Sequence, residues 1–208
     1  MATKLGTLFI IAAPSGAGKT TLVKAVVDTT PDIKVSVSHT TRARRPGEQD
    51  QVNYYFVSSK TFNAMVEANE FLEHATVFGN FYGTSRKWVE ATLLSGIDVI
   101  LEIDWQGTKQ VRQNILNAVT IFILPPSLTT LRERLEHRNQ DDPEVINSRM
   151  ALAKQEMQHY GEFDYIVIND NFDQAVLEVR SIVISRRLER EVQKKRYSTL
   201  IQGLLNER

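Results

Sequence analysis

Apolar and polar positions alternate along the chain in blocks of two kinds. Short apolar runs stand at Thr7–Ala12, Val35–Ser38, Asp98–Ile103, Val119–Leu124 and Tyr165–Ile168. Longer stretches with helical spacing lie between and after them, at Lys19–Thr29, Thr108–Gln113, Leu128–Arg138, Pro143–Tyr160 and Asp173–Lys195. Strand and helix in turn predict an α/β fold with a five-stranded, mainly parallel sheet. The runs at Asp98 and Val119 are apolar on nearly every residue, as parallel strands covered on both faces require. Pro125-Pro126 ends one strand, and Ser127 is placed to cap the helix that follows.

Residues 39–90 break this alternation. Asn53–Val57 and Phe71–Val77 read as short strands with a helix at Lys60–Asn69 between them, and Tyr54, Tyr55, Phe78, Phe81 and Tyr82 crowd the same stretch. The pattern predicts a lobe at 37–90 inserted into a single-domain core made of 1–36 and 91–208.

Candidate chemistry begins where the first strand ends. Ala13-Pro14-Ser15-Gly16-Ala17-Gly18-Lys19-Thr20-Thr21 is a Gly-rich turn that opens directly into a helix. That is the context of a nucleotide-phosphate loop. Backbone amides around Gly16–Thr20 can cradle phosphate oxygens, and the helix N-terminus adds partial positive charge. Lys19 can reach the β- and γ-phosphates, and the Thr20 hydroxyl can ligate Mg²⁺. Ala13 stands where G-x-x-x-x-G-K-[ST] has its first glycine, so the turn starts on a residue with a Cβ. A second phosphate site is suggested by Ser38-His39-Thr40-Thr41-Arg42-Ala43-Arg44-Arg45, where three arginines stand within four residues beside hydroxyl donors. Guanidinium forks match phosphate oxygens.

Composition narrows the partners. The 208 residues carry 25 basic and 25 acidic side chains, so no overall positive charge points to a nucleic-acid polymer. The absence of cysteine excludes a disulfide scaffold and a thiolate metal site. No apolar run approaches the ~20 residues of a membrane span, and Met1–Gly6 is too short and polar for a signal peptide; a cytoplasmic protein is expected. His39, His74, His137 and His159 lack metal-ligand spacing and read as ordinary surface or loop residues. Arg186, Arg187, Lys194, Lys195 and Arg196 read as a solvated helix face.

Ser38–Glu48, the Glu73 segment, Gly79–Ser85 and Asp104-Trp105-Gln106-Gly107 follow the phosphate loop in order. Together they closely resemble guanylate kinase, which phosphorylates GMP with ATP, and the resemblance runs to Ile168-Asn169-Asp170. It implies a P-loop kinase fold with a GMP-binding lobe at 37–90 and a lid at 138–148. It further implies in-line transfer from ATP to GMP, with dGMP as a further acceptor and Mg²⁺ as cofactor. The partners implied are these small molecules, without nucleic-acid polymer or membrane, and a homo-oligomer is compatible with them.

By the same resemblance, Arg42, Arg45, Tyr54 and Tyr82 hold the GMP phosphate, while Ser38, Glu73, Thr84 and Asp104 read guanine. The base chemistry agrees: carboxylates accept from guanine N1–H and N2–H₂, and hydroxyls donate to O6. Adenine would leave those carboxylates unpaired. ATP falls to Ala13–Thr21 with Arg134, Arg138 and Asn169, and Arg132 is not separated from Arg134 by spacing alone. Lys19, Arg42, Arg138 and Arg149 are the implied catalytic cations. Thr20 and Glu102 are the implied metal ligands, Glu102 standing where the family usually has Asp. The family's Gly-Arg-Gly before the lid reads His137-Arg138-Asn139 here. Scaffold modules resembling these kinases typically lack the phosphate loop, which this chain keeps. A kinase for another nucleoside monophosphate is disfavoured by Glu73 together with Asp104.

Overall fold

The computed structural model describes residues 5–77, 79–137 and 142–206. Strand β1 (Leu8–Ala12) is buried at every position. It pairs in parallel with β7 (Asp98–Glu102) on one side and β8 (Val119–Leu124) on the other. Strand β2 (Ile33–Val35) adds beyond β7 and β9 (Tyr165–Ile168) beyond β8, giving a five-stranded sheet in the order β2-β7-β1-β8-β9. Every pairing in it is parallel.

The alternation of β1 side chains builds two cores. Phe9 and Ile11 pack with Leu22 and Val26 of α1 (Lys19–Thr29) and with Val179 and Val183 of α7 (Phe172–Leu188). Leu8 and Ile10 face the other way, against Val89 of α3 (Arg86–Leu94) and Val111 of α4 (Trp105–Asn114). A third cluster joins Leu131 and Leu135 of α5 (Leu128–Glu136) to Ile146 and Met150 of α6 (Pro143–Met157). At the sheet edge away from the phosphate loop, buried Asp98 accepts from Thr7 N at 2.6 Å and from Arg187 Nε at 2.7 Å.

Several element boundaries differ from expectation, among them α4, which starts three residues before the expected Thr108. The second strand lies at Ile33–Val35 rather than Val35–Ser38, because buried Ile33 pairs with Asp98 before the chain turns into the lobe. The helix expected to run to Tyr160 stops at Met157 and tightens into a 3₁₀ turn, Gln158–Glu162. The final helix breaks at Glu189, whose extended ψ of 139° separates α7 from α8 (Arg190–Arg196); α9 (Ser198–Asn206) follows without prior expectation. Among the described residues no helix is long and apolar enough to cross a membrane.

The stretch that breaks the alternation forms a sheet of its own. It comprises β3 (His39–Thr40), β4 (Tyr55–Phe56), β5 (Phe71–Val77) and β6 (Asn80–Ser85), ordered β4-β3-β6-β5. Helix α2 (Ser59–Glu67) covers it, capped by Ser58, whose side chain accepts from Thr61 N at 3.1 Å. Phe62 of α2 stacks on Phe71 at 4.6 Å and on Phe81 at 5.5 Å. Leu72, next to Phe71, packs instead into the main core beside Val89. The hairpin β5–β6 therefore belongs to both units.

Phe62 is 1% exposed, so Phe62→Ala removes a ring from a filled site. The expected loss is about 3–5 kcal/mol of unfolding free energy. Urea denaturation followed by circular dichroism measures it, and a loss below about 1 kcal/mol would show that this aromatic cluster does not support the fold.

Candidate active site

The phosphate loop is held open from both flanks. Gly16 and Gly18 have φ of +93° and +88°, the left-handed region where glycine avoids the Cβ penalty. Space at Gly18 is tight as well: a Cβ there would lie 2.6 Å from Asn169 Nδ2. Asn169, buried just after β9, donates from that nitrogen to Ala17 O at 2.7 Å. Ala13, in place of the first glycine, packs against the core cluster around Phe9, so its methyl fills apolar space.

Lys19 follows Gly18 at the head of α1 and donates from Nζ to Ile103 O at 3.4 Å. Burial draws its pKa below the ordinary lysine value, opposed by the nearby carboxylates Glu102, Asp104, Glu156 and Glu73. Thr20 Oγ1 donates to Glu102 Oε2 at 2.9 Å, so the two expected metal ligands meet between the start of α1 and the end of β7. These are hard oxygen donors of the kind Mg²⁺ takes. Among the described residues no three His, Cys, Asp or Glu group as a metal site.

Arg134 donates from Nη2 to Asn169 O at 3.0 Å. Its Nη1 is buried without a hydrogen-bond partner among the described residues. Arg132 is exposed and bonds Asn147 of α6 at 3.0 Å. The two arginines left level by spacing are thereby separated, and Arg134 is the one on the phosphate-loop flank. Arg149 is half-buried on α6. Arg138 and lid residues up to 141 lie outside the described residues.

Two acids converge opposite the loop. Glu73 on β5 is buried and accepts from Thr84 Oγ1 at 2.6 Å, across a register that places these residues side by side. Burial pushes the Glu73 carboxyl up to about 7, with Asp104 adding to the rise and Thr84 and Lys19 opposing it. Asp104 caps α4, Oδ1 accepting from Gly107 N at 2.8 Å. A Cβ at Gly107 would come within 2.8 Å of Glu73 Oε2, so the missing side chain lets Glu73 approach the helix that Asp104 caps.

The arginine loop closes on Glu48. Arg42 Nη2 donates to Glu48 Oε1 at 2.7 Å, and Arg45 N donates to Glu48 Oε2 at 2.8 Å. The Arg42 guanidinium lies 5.4 Å from the centre of the Tyr54 ring, and Tyr54 meets Tyr82 edge-on at 6.0 Å. Arg42, Tyr54 and Tyr82 are thus brought together, whereas Arg45 is exposed and joins through its backbone amide. Ser38, half-buried between β2 and β3, accepts at its carbonyl from Tyr55 N at 2.9 Å.

Sequence inspection singles out neither Glu156 nor the ring of His159. Ser15 N donates to Glu156 Oε2 at 3.1 Å, and His159 stacks on Trp105 at 3.6 Å. His159 lies in the 3₁₀ turn, within the surface-or-loop expectation, whereas His39 departs from it, half-buried on β3 and stacked on Tyr55 at 4.6 Å. A signal for Glu156 exists in its spacing: seven residues after Arg149 on one helix, it shares that residue's face.

A family model described as guanylate kinase matches residues 5–186. A guanylate kinase of Saccharophagus degradans is 60% identical over 98% of this chain and 100% of its own length. One from Coxiella burnetii is 54% identical over 95% and 96% respectively. The crystal structure of guanylate kinase from Anaplasma phagocytophilum superposes with a TM-score of 0.74 at 32% identity, covering 91% of this chain and 90% of that one.

The raised Glu73 pKa makes stability depend on pH. The ordinary value is 4.5 and the folded value about 7, so between them the folded chain holds a proton that the unfolded chain has released. This contribution is full below about pH 4.5 and is lost as pH rises toward about 7, on the order of 3 kcal/mol in all. Glu73→Gln removes it. Urea denaturation from pH 5 to pH 8 should therefore show the variant gaining stability relative to the parent as pH rises; parallel curves would refute the assignment.

Proposed function

The chain belongs to the guanylate kinase family, and on that premise we propose that it transfers the γ-phosphoryl group of ATP to GMP, giving ADP and GDP. The observation that carries the base assignment is the convergence of Glu73 and Asp104 opposite the phosphate loop. In this reading the loop amides and Lys19 hold the ATP phosphates, with Arg134 and Asn169 at the flank. The ionised Glu73 and Asp104 accept from guanine N1–H and N2–H₂; the Ser38 hydroxyl donates to O6, and Thr84 does so on exchanging its bond to Glu73 for the base. Base-directed contacts extend the proposal to dGMP.

At the phosphate end, Arg42 exchanges the Glu48 carboxylate for the GMP phosphate, aided by Arg45, Tyr54 and Tyr82. A GMP phosphate oxygen then attacks the γ-phosphorus in line. No covalent enzyme intermediate is needed, because positioning and electrostatics carry such transfers. Lys19, Arg42, Arg138 and Arg149 stabilise the charge on the phosphoryl group in transit. When bound, Mg²⁺ supplies charge neutralisation at the donor phosphate oxygens, and Thr20 with Glu102 behind it would hold it. The lobe at 37–90 and the lid at 138–148 close over both nucleotides and exclude water, which would otherwise hydrolyse ATP.

The deciding experiment compares kcat/KM for GMP, IMP and AMP with saturating ATP and Mg²⁺. AMP lacks both donors, so each carboxylate left unpaired costs about 1–3 kcal/mol. Discrimination of GMP over AMP should reach at least several hundredfold, roughly the effect of two such penalties. IMP, which keeps N1–H alone, should fall between. Glu73→Gln should depress GMP use severely and leave the apparent ATP affinity little changed. Equal use of AMP and GMP by the parent protein would end this assignment.

Lys19→Ala tests the donor side. Loss of one cation aimed at developing charge should lower kcat by roughly 10²–10³-fold or more, with the circular dichroism spectrum unchanged. Near-normal turnover by that folded variant would be incompatible with the phosphate-loop role of Lys19.

A further inference from the structure

The C-terminal end of α6 is tied to the site at two points. Ser15 N, in the phosphate loop, donates to Glu156 Oε2 at 3.1 Å. Just beyond, the His159 ring lies on Trp105 at 3.6 Å with the planes 7° apart, and His159 Nδ1 meets Glu162 Oε1 at 2.6 Å. Trp105 directly follows Asp104, so α6 and its 3₁₀ turn together touch the donor loop and the start of the helix capped by a base-reading acid.

Arg149 lies seven residues earlier on the same helix. Seven residues make about two turns, roughly 10 Å, which sets Arg149 and Glu156 on one face. Glu156 is half-buried, and burial raises its pKa while the Ser15 amide and Lys19 favour the ionised form. Its neighbours in that field are Asp104 and Lys19. The bond to Ser15 thus links the helix bearing Arg149 directly to the loop that leads into Lys19.

We propose that Glu156 is a positioning residue for phosphoryl transfer, its side-chain oxygen pinning α6 to the phosphate loop so that Arg149 and Lys19 address the same phosphoryl group. The role rests on the kinase reading above. It requires an acceptor at the end of a two-methylene arm. Glutamine supplies an oxygen at that reach, aspartate falls short by one carbon–carbon bond, and alanine supplies none. If charge alone mattered, aspartate would serve and glutamine would not.

The test uses the full chain and its Glu156→Gln, Glu156→Asp and Glu156→Ala variants, measuring kcat, KM for GMP, ADP affinity by calorimetry and melting temperature. Misplacement by about 1 Å can cost on the order of 10²-fold in rate. Glu156→Asp and Glu156→Ala should therefore lose roughly 10- to 100-fold in kcat, with KM for GMP and ADP affinity each within about threefold. Glu156→Gln should keep at least about a third of kcat. Combined with Arg149→Ala, Glu156→Ala should add less than about threefold, because both changes remove one arrangement. If Glu156→Ala does not fold, the Gln and Asp pair decides alone. Three results overturn the role: an active Asp variant beside an inactive Gln variant, multiplicative losses with Arg149→Ala, or rates that simply track melting temperature. A parent protein that does not phosphorylate GMP would instead overturn the kinase reading, whereas normal parent turnover with the wrong variant pattern overturns the Glu156 role only.

Discussion

The parallel pairing of β1 with β7 and β8, covered on both faces, decides where chemistry can occur. Phe9, Ile10 and Ile11 leave no room for a polar group along the central strand. Parallel strands all end at the same edge, however, and there the chain must turn out into solvent. The phosphate loop follows β1, Asp104 follows β7, and Asn169 follows β9. Residues separated by up to 152 positions, such as Ala17 and Asn169, become hydrogen-bond partners through this single constraint.

The inserted lobe solves a different problem. Its small sheet has an aromatic core of its own around Phe62, yet Leu72 belongs to the main core. Neighbouring residues on β5 therefore fasten the lobe to the body and present Glu73 inward. That carboxylate is costly where it sits: burial is the main cause of its raised pKa. Thr84 donates to Oε1 from its hydroxyl at 2.6 Å and also from its backbone, and Gly107 leaves space for Oε2. Burial of this kind costs a carboxylate least when N–H or O–H groups are brought to it.

Much of this was legible in the chain itself. Continuous apolar runs mark parallel strands because both faces must be covered, and Gly18-Lys19-Thr20 stands at the strand-to-helix turn where amides can point at phosphate. Harder to read were features without a local signal. Ile33 opens the second strand directly after Pro31 and Asp32, the latter at a φ of +56°, so no run of apolar residues leads into it. Glu189 breaks the last helix with neither glycine nor proline to announce it. Strands of two residues, such as β3 and β4, are too short to show a period. Arg132 and Arg134 differ only in which neighbour each meets, Asn147 or Asn169, and that depends on tertiary packing. Glu156 looks like any acid on a polar helix until Ser15 is folded against it.

The covering of β1 also orders events in time. One face of that strand is sealed by Val179 and Val183, and Arg187 closes the far edge by reaching Asp98 and the carbonyls of Pro31 and Asp32. The Arg187 contacts span 89 to 156 positions of chain. A ribosome-bound chain that has exposed its first two strands must therefore carry Phe9 and Ile11 covered by α1 but not by α7 until α7 has emerged. Long-range closure of this kind slows folding and leaves apolar surface open meanwhile. The cover of the earliest-made strand is completed among the last, so its partial exposure lasts through most of synthesis.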